Sequence, residues 1–476
     1  MSIRFIVCLQ ILLGVLAIGA EKPPAVSQSN PNVLFFYADD LGFGDLGCYG
    51  SKQAQTPRLD QLASEGTRYT QFYVSHCVCS PTRTSAITGH FPSRHRIFGH
   101  LAFFSYNQRR GMPNWLEVNA PSLPRALQGV GYRTAMIGKW HLGGGSGRGF
   151  KMEDLRNPGR VPPKDRPIVI NHPDAPPVAK YGFDHVRTTY GNSPTWKAAK
   201  PWPVPHEIYP YASPEWNTWS SRAIADEAIK FVEEHQRKYP GQPFYANVWF
   251  KDPHVPLTPT PEMLKPFAHL ERKARIHYAI IRFMDEQIGR VLDRLDELGL
   301  RENTLVIFSS DNGAGKGRGG SNGELRGWKH TLYEGGIREP FIVRWPGHTP
   351  LGRVDESSVL NLCDLVPTLV QLTGAKMPDG YESDGENMLA ALLGEIHRRS
   401  KAQFWHYPAT KPALAVRIGD WKLLTDLAGG RAELYDLSRD PTESKNLALQ
   451  HESTVKRLKR ELMAWYGKLP IRAHQK

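Results

Sequence analysis

The sequence predicts an α/β protein: a mostly parallel sheet sandwiched by helices, followed by a smaller C-terminal α+β domain containing an antiparallel sheet. Three observations predict it. Short apolar runs without polar alternation read as strands buried on both faces. Segments of helical period alternate with them, the order that builds a parallel sheet. Past about residue 375 the runs become short and closely spaced, as in antiparallel strands.

The elements follow in chain order. Asn32 to Ala38 (NVLFFYA) is a buried strand. Thr56-Pro57 supplies an N-cap and a proline at the first helical position, and a helix runs to about Gly66. Thr67 to Val74 is a second strand, and Pro81 opens a helix through about Thr88. Ser122 to Gly129 is a short helix and Tyr132 to Ile137 a strand. Gly144 to Trp216 is rich in Pro, Gly, Asn and Lys with little periodicity, and is expected to be a long excursion over the functional face. Glu215 to Lys238 is an amphipathic helix, Pro243 to Phe250 a strand, Ile276 to Leu298 a long amphipathic helix and Thr304 to Ser309 a buried strand. Ala402 to Tyr407, Ala413 to Ile418, Trp421 to Leu424 and Glu433 to Leu437 are the short C-terminal strands, closed by a helix over Val455 to Tyr466.

The chain has 476 residues, 40% hydrophobic and 22% charged, enough for a large core and for two domains. Residues 1–20 read as a signal peptide: Arg4 is the positive end, Phe5 to Ile18 is apolar but short for a bilayer span, and Gly19-Ala20 offers small residues for cleavage. That implies a secreted or periplasmic protein, with residues 21–375 as the main domain and 376–476 as the C-terminal one. No later segment is apolar enough for stable membrane insertion. Formal charge is +13, which favours polyanionic partners. No Lys/Arg run or basic-aromatic block points to nucleic acid. Five cysteines, one within the signal, exclude a disulfide scaffold, and no second Cys cluster completes a zinc site around Cys77-Val78-Cys79.

Two pairs of oxygen-donor residues directly follow predicted buried strands: Asp39-Asp40 and Asp311-Asn312. Ligands of open α/β sheets bind beyond the carboxyl ends of strands. Four hard oxygen donors there suit Ca²⁺, or less well Mg²⁺ with more water, and suit zinc poorly. Cys79 sits at the N-terminus of a helix, where backbone N–H groups favour an anion, and Arg83 lies one turn further on the same face. Lys139 and His141 alternate after a strand, so extended geometry points both the same way. His254 lies between Pro253 and Pro256, which stiffen its loop.

The run Cys79-Ser80-Pro81-Thr82-Arg83, with Thr88-Gly89 after it, resembles the signature of the formylglycine-dependent sulfatases. The resemblance extends through Asp39-Asp40, Gly138-Lys139-Trp140-His141-Leu142-Gly143, Pro253-His254-Val255-Pro256, Ser310-Asp311-Asn312-Gly313, and Lys329 ahead of Tyr333-Glu334-Gly335-Gly336. These segments keep the family's order across residues 32 to 345. Arylsulfatases and N-acetylgalactosamine-6-sulfatases are the nearest in character.

The resemblance implies an alkaline-phosphatase-like fold and a sulfuric ester hydrolase. A maturation enzyme would oxidise Cys79 to formylglycine (3-oxoalanine), and Asp39, Asp40, Asp311 and Asn312 would bind Ca²⁺ with a formylglycine oxygen from position 79 beside it. Arg83 would order that site. Lys139 would stabilise the hydroxyl that takes the sulfate, and His141 would deprotonate the second hydroxyl. His254 would protonate the leaving alcohol, and Lys329, rather than Lys316, would bind sulfate. Substrates would be sulfated carbohydrates or aryl sulfates. A formylglycine-dependent phosphodiesterase or phosphonate hydrolase, and a non-catalytic anionic-glycan binder, stand as alternatives. The chain departs from the family at His90, where Arg is common. A further polar contact falls to Asn192 or Ser193, and His95 and His100 are expected in loops or at the rim.

Overall fold

Parallel strands buried on both faces need alternate side chains to fill two separate cores, and the computed structural model shows this arrangement. It describes residues 30–102, 104–143, 175–190, 193–194 and 214–470. The first 29 residues, including the expected signal peptide, lie outside them, as does most of the expected excursion.

The central sheet contains β1 (Asn32–Ala38), β2 (Thr67–Tyr73), β3 (Arg133–Lys139), β4 (His185–Tyr190), β5 (Ser193–Pro194), β6 (Phe244–Trp249), β7 (Thr304–Ser310), β8 (Arg338–Arg344), β9 (Arg353–Asp355) and β10 (Leu360–Asn361). Its order is β10-β2-β8-β7-β1-β6-β3-β4-β5, with β9 also on β2. From β7 through β1, β6, β3 and β4 every neighbouring pair is parallel. Thus β7, β1, β6 and β3 end at one edge.

On β1 the two faces are explicit. Val33, Phe35 and Tyr37 enter one core and Leu34, Phe36 and Ala38 the other. The second core is closed by the helices Pro214–Lys238 and Arg272–Glu297. The longer helix buries Tyr278, Ile281, Met284, Ile288, Val291, Leu292 and Leu295, a stripe at spacings of three and four residues. The first core is closed by α2 (Cys79–Thr88), the helix Leu365–Thr373 and the C-terminal sheet. That sheet is an antiparallel array of β11 (Gln403–His406), β12 (Leu414–Ile418), β13 (Trp421–Thr425) and β14 (Ala432–Asp436) in sequential order. Trp405 of β11 donates its indole N–H to the Val74 carbonyl at 2.8 Å. Each buried Leu, Phe or Ile contributes on the order of 1.5–3 kcal/mol.

Several expectations are corrected. The Gly144 to Trp216 segment is not wholly an excursion, because β4 lies within it and pairs parallel with β3. Strand β8, absent from the sequence reading, is fully buried between β7 and β2 and antiparallel to both. Its charged ends (REPFIVR) hide a buried strand whose Arg and Glu residues are themselves covered. The helix expected to open at Pro81 opens at Cys79, with Val78 as an extended N-cap. Proline tolerates the first turn, where the missing N–H would have no intrahelical acceptor. The Thr56 hydroxyl does not cap α1 (Pro57–Ser64); it accepts from the Gly47 amide and donates to Asp60. No helix among the described residues is long and apolar enough to cross a membrane.

Gly138 ends the regular part of β3 at φ +96°, and a Cβ there would meet the Trp249 carbonyl oxygen at 2.0 Å. Gly138→Ala is therefore expected to lower stability by at least ~2 kcal/mol, through both backbone strain and the forced shift against β6. Urea unfolding checks this, and an unchanged midpoint would contradict the β3–β6 register.

Candidate active site

Three carboxylates are buried at the shared strand edge. Asp39 and Asp40 continue β1, and Asp311 continues β7. Their backbones are tied together: the Asp311 amide donates to Ala38 and the Asp40 amide to Asp311 Oδ1 at 3.2 Å. Asp40 adopts φ +65°, a left-handed turn that takes the chain out of the sheet. So much buried negative charge requires counter-charge, and four elements supply it.

Arg83 comes from α2 and is fully buried. Its Nη2 donates to Asp311 Oδ2 at 2.8 Å and lies 3.9 Å from Asp39 Oδ2, and its Nη1 donates to the Lys139 carbonyl at 2.8 Å. The guanidinium also lies over the Tyr37 and Trp249 rings, 5.5 and 5.2 Å from their centroids. Lys139 ion-pairs with Asp39. Lys329, from the segment after β7, ion-pairs with Asp40 at 2.5 Å. His254, after β6, places Nε2 3.7 Å from Asp40. Asn312 donates to Asp40 Oδ1 at 2.8 Å. Lys316 is exposed in the same segment as Lys329.

The electrostatics follow. Burial alone would push the Asp39 carboxyl up, but Lys139, His254, Arg83 and Lys329 outweigh it and hold it well below the usual range. Asp40 is also lowered, against burial, chiefly by Lys329 and His254. Asp311 goes the other way, to about 7, because burial and the Asp39 charge exceed the help from Arg83. Asp311 is therefore the most easily protonated of the three, while Asp39 and Asp40 stay ionised. Burial lowers the His254 imidazole to about 4 despite Asp40 and Asp39. Burial raises the Cys79 thiol, with Lys139 and Lys329 only partly offsetting it.

Cys79 completes the cluster. Single ligand-type atoms of Asp39, Cys79 and Asp311 lie within 4.8 Å of one another, as do those of Asp39, Asp40 and His254. Asp39 Oδ1 and Asn312 Oδ1 are buried without a hydrogen-bond partner. Buried oxygens left bare beside two further carboxylates suit a hard divalent cation. The residues expected to bind metal are thus adjacent and offer oxygen donors.

His141 reaches the same region by a different route from the one expected. Lys139 ends β3, but His141 has φ +53°, so the two are not related by strand alternation. Turning at Gly138 and again at His141 brings both around the strand end. His141 is buried, and its Nε2 lies 3.1 Å from the Leu101 carbonyl. Burial, then Lys139, holds its imidazole well below the usual pKa. His100 is at the rim: burial, Arg110, Lys329, His330 and Lys139 together lower it to about 3. His90 and His95 lie apart from the carboxylates, stacked on each other at 5.3 Å. Asn192 lies outside the described residues, and Ser193 pairs with Tyr190 at the sheet margin.

Two supporting residues were missed from sequence. Lys251, in the otherwise apolar end of the β6 segment, is fully buried and donates to the Pro256 carbonyl at 2.9 Å, bracing the turn that carries His254. Tyr407, after β11, meets His330 Nδ1 at 3.0 Å and so supports the residue next to Lys329. A lysine interrupting a buried strand end was the available signal for the first. The second depends on how the C-terminal sheet docks, which no local pattern reports.

This constellation agrees with comparison to known proteins. The family model described as Sulfatase matches residues 31–375, and that described as N-sulphoglucosamine sulphohydrolase, C-terminal, matches residues 323–467. Human arylsulfatase A is 31% identical over 450 residues, covering 88% of this chain and 83% of that protein. The N-acetylgalactosamine-6-O-sulfatase of Bacteroides thetaiotaomicron is 27% identical, covering 92% and 93%. A solved structure of Ps i-CgsB in complex with k-i-k-neocarrahexaose superposes with a TM-score of 0.74 at 24% identity, covering 93% and 94%. The chain belongs to the sulfatase family. It is an enzyme of the sulfuric ester hydrolase class, on the alkaline-phosphatase-like fold of that family.

Removing Arg83 leaves Asp311 buried without its cation. Arg83→Met is expected to cost ~3–5 kcal/mol of stability, the loss typical of breaking one side of a buried pair. Denaturant unfolding at neutral pH measures it; a change below ~1 kcal/mol would contradict the ion-pair assignment.

Proposed function

We propose that this protein is a secreted or periplasmic sulfatase that hydrolyses sulfate esters of sulfated saccharides, using formylglycine made from Cys79 and a Ca²⁺ ion. The observation that carries the reading is the meeting of the Cys79 side chain with Asp39 and Asp311 in a pocket also reached by Lys139, Lys329, His141 and His254. An unmodified thiol is a poor candidate nucleophile there. Burial raises its pKa, and the thiolate is the reactive form. Cys79 is also only 2% exposed, so a maturation enzyme would act on the chain before this pocket closes.

Each side chain has a task under this reading. Asp39, Asp40, Asp311 and Asn312 would hold Ca²⁺, whose preference for 6–8 oxygens matches a set of carboxylates and an amide. Arg83 fixes Asp311 and Asp39 in place. Formylglycine at position 79, once hydrated, would supply two hydroxyls on one carbon, which a serine or cysteine cannot. Lys139 and Lys329 balance charge on the sulfate oxygens, and such preorganised donors are commonly the largest catalytic contribution. His254 donates from Nδ1 to the Val255 carbonyl at 2.6 Å, so Nε2 is the nitrogen that would carry a proton to the leaving alcohol. Arrival of an anionic ester beside it favours the protonated imidazole. His141, held neutral by burial, is suited to accept the proton of the second hydroxyl.

A panel of sulfated saccharides and aryl sulfates, with matched phosphate esters and phosphonates, tests the reading. Sulfate-ester cleavage is expected to dominate. Faster phosphoester or phosphonate cleavage would favour the alternative hydrolase, and no cleavage by protein carrying formylglycine would favour a glycan binder.

Three outcomes are specific to the assigned residues. Lys329→Ala is expected to lower kcat/KM about 10²–10³-fold, measured by steady-state kinetics. Cys79→Ser retains one hydroxyl and lacks the second, so single-turnover incubation followed by intact-mass analysis is expected to find sulfated protein without turnover; full turnover would reject the assignment. Adding Ca²⁺ to chelated protein at 100 times its Kd is expected to raise stability by about 2.7 kcal/mol. That gain should vanish in Asp311→Asn.

A further inference from the structure

A second cavity lies away from the carboxylate cluster, where the outer edge of the central sheet meets β11 and β12. Its volume is about 410 Å³. Arg398, Arg399, Lys401, Arg417 and Gln403 line it, and Asp420 is the one acidic residue among its described lining residues. Gln403 and Arg417 face each other across the β11–β12 ladder. The opposite end of that ladder, His406 with Leu414, leads into Tyr407 beside His330. At ~3.4 Å per residue, the cavity is on the order of 10–15 Å further along the sheet.

Three of the side chains that line it carry buried N–H groups without an acceptor. Gln403 and Arg417 are 0% and 2% exposed, and the Arg399 side chain 5%. Gln403 accepts from Asn361 at 2.9 Å, but its Nε2 has no acceptor. Arg417 donates Nε to Gly419 at 3.0 Å and Nη2 to Gln71 at 2.8 Å, leaving Nη1. Arg399 donates Nη1 to Asp364 at 2.6 Å, leaving both Nε and Nη2, the edge that binds an oxyanion with two parallel hydrogen bonds. Lys401 spends its ammonium on the Ser383 and Gly385 carbonyls, so its charge is not neutralised. Buried N–H groups in native proteins are nearly always paired with protein, water or ligand.

We propose that this cavity is an accessory oxyanion site that takes a sulfate half-ester of a saccharide chain at a distance from the reacting bond. The donor set fits a tetrahedral oxyanion. The volume falls within the range of small-molecule pockets, larger than a bare ion requires, which favours a sulfated sugar unit over free sulfate. The saccharide part rests on the proposed function above; the oxyanion part does not. The site would favour chains carrying more than one sulfate.

Two arms test it. Crystals of the intact protein grown without sulfate are soaked in selenate, and anomalous scattering locates selenium. The expected peak lies within hydrogen-bond distance of Arg399 and Gln403; a peak beside Cys79 with none in this cavity overturns the oxyanion site. In the second arm, Gln403→Glu keeps the bond to Asn361 but replaces a donor with a repelling carboxylate, and Arg399→Lys keeps charge beside Asp364 but removes the two-pronged edge. Both are expected to raise KM for a multiply sulfated oligosaccharide about tenfold at unchanged kcat, and to leave a small aryl sulfate unaffected. An unchanged KM in folded variants, checked by thermal melting, overturns the saccharide assignment even where selenate binds, and marks the bound ion as adventitious. Wild-type protein that cleaves no sulfate ester would count against the proposed function, while the selenate arm still decides the oxyanion site.

Discussion

Three carboxylates share one buried sheet edge, and their mutual repulsion sets the terms for everything around them. Asp39, Asp40 and Asp311 are brought together because β1 and β7 are adjacent, parallel and in register, with Ala38 opposite Ser310. That proximity is unfavourable unless cations come with it. Arg83, Lys139 and Lys329 each arrive from a different segment, so α2, β3 and the loop after β7 must dock correctly before the charges balance. The same requirement explains why Asp311 remains the most easily protonated of the three: burial and Asp39 act on it together, against Arg83.

A charge cluster of this kind is also a prepared site. The bare oxygens on Asp39 and Asn312 suit a divalent ion, and Lys139 and Lys329 balance the carboxylates beside them. The fold contributes rigidity rather than reactivity. Strand ends, a helix start at Cys79 and the stiff Lys251–Pro256 turn hold the groups, while the two cores either side of β1 fix the strands. Membership of the sulfatase family agrees with this division of labour.

Much of this was legible in the chain before any coordinates. Buried parallel strands announce themselves as continuous apolar runs, so β1, β6 and β7 are legible, and so are the oxygen-donor pairs after β1 and β7. Strand β8 was missed because Arg and Glu at its ends break the apolar run, although tertiary contacts bury them. Strand β4 was missed because HVRTTY sits inside a polar, proline-rich stretch and gains its place only by pairing with β3. Lys139 and His141 are near neighbours at the end of β3 by a local geometry that the pattern does not report. Strand alternation predicts that the two point the same way, whereas positive φ at Gly138 and His141 turns the chain. Tyr407 and the basic cavity at β11 and β12 depend on how the C-terminal sheet packs, which sequence period does not encode.

The central claim is that residue 79 acts as an aldehyde hydrate held among these charges and not as a thiol. The most direct measurement is the mass of the peptide containing residue 79, taken from protein whose sulfate-ester turnover has been quantified. The account expects the aldehyde, in a fraction that rises in proportion to activity across preparations. Fully active protein carrying only the unmodified cysteine would contradict it.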